Sequence, residues 1–370
     1  MTSSATTPAP RNTAPTAPAA AVGNTTPTAP AAAGGNTTPT APAAAGGNTA
    51  AAARKPHDER PRELARTTVS GVHDLQGVKC DSARFGAVAR RHPSGVVRRA
   101  EPATTGALLL EAAPTDGRTE LRVVGSPATP SHEVEAALEA GLAWIGVRDD
   151  PTPLGDLAAH DRRLAKLYAV TGPVRLGRLP RLGEAFGRAV IAQLVQSAEA
   201  HRSIAQLVRR AGEDAPGGLT AWPRRETVGA IPSWELRRCG ISGRGARALH
   251  AGAVDGPHLE RAEQAGWDGL DARLRALPGV GVWTSAVARR ARGDPDAVAV
   301  GDYNLPALIA WVLGDGAADA DDATMLELLA PFAGQRGRVI RLVERAVGAR
   351  AVSGPPRRAP RAPLSAHRYW

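Results

Sequence analysis

The chain has 370 residues, enough for two domains, with 43% hydrophobic residues, 22% charged residues and 2 cysteines. Its formal net charge is +10, carried almost wholly by arginine, which suits a polyanionic partner and equally reflects the arginine-rich composition of a GC-rich genome. Cys80 and Cys239 lie too far apart for a disulfide framework and are too few for a four-cysteine cluster, and no stretch is long and apolar enough to span a membrane.

Residues 1–53 repeat NTTPTAPAAAGG with a period of 12, marked by Asn12, Asn24, Asn36 and Asn48. Almost no charge and hardly a large apolar side chain are present, so this segment reads as a disordered tether. A misassigned start codon is the other reading. The segment lacks the basic and apolar regions of a secretory signal. Residues 54–75 read as a charged linker.

Residues 76–180 predict an α+β domain. Short apolar or β-branched runs at 95–99, 107–112 and 120–124 read as strands, and the PTDG turn at 114–117 makes a hairpin of the last two. Residues 131–143 then predict a helix, with Ser131 as its cap and Val134, Leu138 and Leu142 on one face. A small antiparallel sheet with helices follows.

Residues 181–348 predict an all-α domain. The helical signal runs from Leu182 to Gly212, and GISGRGARALHAG at 240–252 is a glycine turn entering a helix that carries Arg244 and Arg247. Leu270, Leu274 and Leu277 share a face of a helix over 268–277, and Pro278 stops it. Gly279 and Gly281 make a tight turn into a second helix near Trp283, which Gly293 and Pro295 end. Free N–H groups at such a helix start, backed by its dipole, form a phosphate-binding geometry, and Arg289, Arg290 and Arg292 add charge on the same helix. The lone Asp302 enters a third helix over 303–313, where a cap and a catalytic carboxylate are both open roles. The acidic loop at 315–322 has the wrong spacing for a calcium loop. Two closing helices at 325–332 and 337–347 precede a basic, proline-rich tail at 349–370.

LPGVG followed by WT, then GDPDAV and GDY, resembles the helix-hairpin-helix DNA glycosylases, most of all the 3-methyladenine DNA glycosylase II type. The likeness covers roughly residues 76–370 and is strongest over 273–306. It implies a monomeric DNA repair enzyme of the nucleoid-containing cytoplasm, acting on double-stranded DNA with a damaged, alkylated base. It implies Asp302 as the catalytic residue and Gly279, Val280, Gly281, Trp283, Thr284, Arg244, Arg247 and Arg289 as DNA-binding residues. Gln193, Leu194, Trp283, Val287 and Tyr303 then surround the base, with Leu194 either inserted into DNA or packed in the core. Trp283 either lines that pocket or packs the hairpin. The resemblance implies a monovalent cation at the hairpin carbonyls and no other metal or cofactor. In strand-nicking relatives a lysine stands two residues beyond the second hairpin glycine, whereas this chain has Trp283 there. Two departures concern the base pocket. Val287 stands where an aromatic is usual, and the helix at 337–347 has none. A non-catalytic helix-hairpin-helix DNA-binding protein is therefore the alternative.

Overall fold

The computed structural model describes residues 60–70, 75–83 and 85–356. The repeat at 1–53 and the end of the tail, from residue 357, lie outside the described residues. Five strands come first: β1 (Arg62–Ser70), β2 (Ala89–Arg91), β3 (Val97–Glu101), β4 (Leu108–Thr115) and β5 (Arg118–Gly125). They form one antiparallel sheet in the order β1-β5-β4-β3-β2. The expected hairpin joins β4 to β5 with Thr115 opposite Arg118. Asp116 (φ 27) and Gly117 (φ 73) form its two-residue loop, both at positive φ, the backbone that matches the strand twist. Alternation along β5 sends Thr119, Leu121 and Val123 inward.

Strand β1 corrects the linker expected at 54–75. Its nine residues include Arg62, Glu63 and Arg66, and Arg66 donates across the sheet to Glu120 at 2.9 Å. Charge that reads as a solvated linker is here the guard of an edge strand.

Helix α1 (Ser131–Trp144) covers one face of the sheet with Val134, Ala137, Leu142 and Trp144. Pro130 occupies its cap position, so Ser131 is the first helical residue and makes no capping bond. A Cβ at Gly141 would lie 2.8 Å from Leu121, which shows how closely the helix approaches the strand. The rest is helical: α2 (Thr152–His160), α3 (Arg162–Thr171), α4 (Leu182–Ile191) and α5 (Ser197–Ala211), then a short ribbon of β6 (Asp214–Ala215) and β7 (Leu219–Thr220). After it come α6 (Arg225–Ala230), α7 (Ser233–Arg238), α8 (Gly243–Ala265), α9 (Trp267–Arg275), α10 (Val282–Ala291), α11 (Leu305–Leu313), α12 (Asp322–Leu329) and α13 (Arg336–Gly348).

Two helical cores result. One gathers Phe186, Val190, Leu207, Leu236, Leu249, Leu270 and Leu274. The other gathers Ile309, Met325, Phe332, Val339 and Val343 with Leu154, Leu164 and Leu167. Helices α2 and α3 thus pack with the last helices of the chain, although the sequence groups them with the sheet before residue 180. Helix α10 lies between the cores: Ala288 belongs to the first, Ala286 to the second, and Val287 packs against both. The helix that follows the glycine turn is thereby held on two sides.

A buried ionic cluster ties the sheet to α4. Arg99, 1% exposed on β3, donates to Glu101 and to the fully buried Glu184, while Arg188 bridges Glu184 and Asp81. Burial alone raises the Glu184 pKa, but the Arg99 and Arg188 charges outweigh it and leave the carboxyl below its ordinary value.

Candidate nucleic-acid interface and catalytic carboxylate

Helix α9 ends at Arg275, and the chain turns through buried Leu277 and Val280, closed by the Val280 N–H donating to the Leu277 carbonyl at 3.2 Å. Gly279 has φ 82, in the left-handed region, and a Cβ there would sit 3.4 Å from the Arg244 side chain. Gly281 differs. It is the N-cap of α10 with φ −105, and an added Cβ would meet nothing within 4 Å. The fold itself therefore places no demand for glycine at 281. The first N–H groups of α10 have no partner within the helix.

The loop between α4 and α5 locks onto this turn. The Gln193 carboxamide donates to the Gly279 carbonyl at 3.0 Å and to the Thr284 hydroxyl at 2.8 Å. Gln193 is thus a tie between loop and hairpin, with both its N–H donors used and its carboxamide oxygen left as an acceptor. Thr284, 3% exposed, turns its hydroxyl inward to that tie and away from the surface. Next to it, Leu194 has φ 56 and is 88% exposed. The core reading of Leu194 is overturned.

Arg244 and Arg247 are exposed on α8, whose start is capped by Ser242 accepting from the Gly245 N–H at 3.0 Å. Arg244 lies against the hairpin at Gly279. The arginines of α10 do not join them. Arg289 pairs with Asp271 and Asp294, Arg290 with Glu344, and Arg292 with Glu263. They occupy the far end of α10, ~10 Å from its N-terminus at 1.5 Å per residue, and acidic neighbours neutralise them. Arg289 is therefore tied up in ion pairs within the protein, and the α8 arginine that lies against the hairpin turn is Arg244.

Asp302 enters half-buried between Gly301 (φ 88) and α11. Its Oδ1 accepts the backbone N–H groups of Asn304, the N-cap residue of α11, at 2.9 Å and of Leu305 at 3.0 Å, so it satisfies two donors at the start of that helix from two residues before the cap. Its Oδ2 accepts the Trp283 indole N–H at 2.9 Å. The two backbone bonds leave an oxygen over, so they do not preclude a chemical role. Asp322 accepts from the Gly301 N–H at 3.0 Å and braces the turn from α12. Val287 follows Trp283 by one turn of α10 and is half-buried, as is Tyr303. The Trp283–Asp302 bond has no signature in the sequence beyond the order of the two residues.

Among the described residues no group of three or more His, Cys, Asp or Glu is placed to hold a metal, and no helix is long and apolar enough to cross a membrane. The Leu277 and Gly279 carbonyls accept hydrogen bonds from the Val280 N–H and the Gln193 carboxamide. A cavity of about 660 Å³ lies elsewhere, between α1, α4, α6 and α8. None of the residues around Asp302 lines it, and Glu101, Arg224, Arg225 and Glu263 on its wall are already in ion pairs.

No family profile matches the chain. Over 147 residues it is 35% identical to proteins of two Mycobacterium tuberculosis strains described as a probable bifunctional transcriptional activator/DNA repair enzyme AlkA. The match takes in 38% of this chain and 29% of that protein. Among solved structures, the 3-methyladenine DNA-glycosylase from Archaeoglobus fulgidus superposes with a TM-score of 0.66 at 18% identity, covering 78% of this chain and 99% of that one. The Clostridium acetobutylicum 8-oxoguanine glycosylase/lyase, bound to double-stranded DNA with cytosine opposite 8-oxoG, gives 0.59 at 13% identity, covering 80% and 99%.

Proposed function

We propose that this chain, whose fold is that of the helix-hairpin-helix DNA glycosylases, is a monofunctional DNA glycosylase that releases an alkylated base from duplex DNA. The observation that carries this reading is Asp302, a carboxylate held by two backbone N–H groups and an indole beside a glycine hairpin. The bare α10 N-terminus and the open space at Gly281 accept a backbone phosphate, with Arg244 and Arg247 adding charge. A monovalent cation on the hairpin carbonyls belongs to the same proposal. Leu194, exposed on its braced loop, enters the duplex and takes the place of the extruded nucleotide.

The chemistry asks for one carboxylate. The C1′–N bond breaks and its electron pair leaves on the base. The sugar becomes cationic, and Asp302 stabilises that charge. Water then adds at C1′ and gives its proton to the carboxylate, from which it passes to solvent. An alkylated purine already carries positive charge, so it leaves without a strong general acid. A non-catalytic DNA-binding module is the second reading, favoured by Val287 packing into both cores and by the absence of an aromatic on α13.

The deciding experiment is mass spectrometry of bases freed from alkylated and deaminated duplexes. Asp302→Asn keeps the shape and removes the charge. It is expected to abolish base release while DNA binding stays intact or improves. Equal single-turnover rates for mutant and wild type would remove Asp302 from the mechanism.

A further inference from the structure

An ionised carboxylate offers about four lone-pair sites. On Asp302 the Asn304 and Leu305 N–H groups take two sites on Oδ1, and the Trp283 indole takes one on Oδ2. One site on Oδ2 is left to face a reacting sugar or water. The donors come from two different elements. The backbone donors belong to the start of α11, so they move with Asp302. The indole belongs to the second residue of α10, the helix whose N-terminus forms the phosphate site and whose body is gripped by both cores. This hydrogen bond is thus the direct link between the carboxylate and the hairpin helix.

We infer that Trp283 is a positioning residue, whose indole N–H holds Asp302 in register with the hairpin helix and leaves one Oδ2 lone pair for the sugar. The inference rests on the glycosylase reading above. The indole is a donor that neither titrates nor attacks. The nearby acidic group, Asp322, is occupied by the Gly301 N–H and braces the same turn from the other side.

The test replaces Trp283 alone, by site-specific incorporation, with two isosteres. 3-Benzothienylalanine fills the same volume without an N–H, and 7-azatryptophan restores the donor. The benzothienyl protein is expected to lose about tenfold in single-turnover base release, the scale of one charge-assisted hydrogen bond, with unchanged Kd for duplex DNA and unchanged melting temperature. The azatryptophan protein regains the rate. In an Asp302→Asn background the benzothienyl substitution has no further effect on any residual rate. A benzothienyl protein as fast as wild type, or one equally slowed in both backgrounds, overturns the inference.

A readout independent of catalysis keeps the two proposals apart. The Trp283 indole N–H resonance, assigned from Trp283→Phe, should move upfield and lose exchange protection in Asp302→Ala. An unmoved resonance overturns the hydrogen bond itself. Wild-type protein that frees no base overturns the proposed function and the catalytic half of this inference, while the resonance still decides the contact.

Discussion

Leu194 carries two costs in one residue. Its backbone sits at φ 56, a region that costs a branched L residue ~1–2 kcal/mol, and its side chain is 88% exposed. Among the described residues Leu194 joins no buried apolar cluster, which points to a return made on a partner. Leu194→Gly should leave the melting temperature unchanged or higher, because glycine accepts that backbone, and should lower single-turnover base release about tenfold. A variant destabilised by more than ~1 kcal/mol would make Leu194 a packing residue. The sequence singled out Leu194 but could not choose between core and surface, because apolar spacing carries no information on which side of a broken helix a residue falls. It likewise named Asp302 and Trp283 separately, while their bond depends on the path of the chain between α10 and α11. The absence of lysine at position 283 carries a second residue-level prediction. The chain holds only Lys55, Lys79 and Lys166, none in the hairpin, and arginine stays protonated at any working pH. Borohydride present during turnover should trap no covalent protein–DNA band, and abasic strands should stay whole. A band that disappears on changing one lysine would show a Schiff base and a misread site.

The hairpin element separates folding from binding because its two glycines do different work. Gly279→Ala forces a Cβ into left-handed backbone beside Arg244 and should lower stability by ~1 kcal/mol. Gly281→Val meets open space at an ordinary φ, so its melting temperature should change little, yet its side chain obstructs an approaching phosphate. Wild-type affinity for duplex DNA should fall with salt by about 0.9 in log–log slope per neutralised phosphate, and Gly281→Val should bind more weakly with a shallower slope. Equal affinities and slopes would remove the hairpin from the interface. The α9–turn–α10 unit was readable because proline and glycine punctuate it. The break between α4 and α5 was not, since 192–196 contains neither; the Gln193 tie to Gly279 and Thr284 braces the chain there, a tertiary bond that local propensity does not register. For the α10 arginines only the charge was legible, because their partners Asp271, Glu344 and Glu263 come from other helices.

At the scale of the whole molecule the sheet and the helices are joined by buried charge, so the joint should be sensitive to acid. Arg99, Glu184, Arg188 and Asp81 form one cluster, with Arg99 also lying 5.8 Å over the Trp144 ring. The Asp81 pKa is raised by burial and lowered more by Arg188 and two backbone N–H groups, and so is depressed, like that of Glu184. Groups with depressed folded pKa values stabilise fully above their unfolded values, about 4 for carboxyls, and lose that stabilisation as pH falls through the folded values. Urea unfolding of wild type should therefore give nearly constant stability from about pH 7 to pH 5 and a steep decline below about pH 4. Glu184→Gln removes one carboxylate from two arginines that keep Glu101 and Asp81 as partners, which should cost ~1–3 kcal/mol at neutral pH. The same variant has one fewer depressed carboxyl to protonate, so its stability should fall less between pH 5 and pH 3 than that of wild type. An identical pH slope in the two proteins would show that Glu184 does not govern the acid response and that the joint between sheet and helices rests on apolar packing.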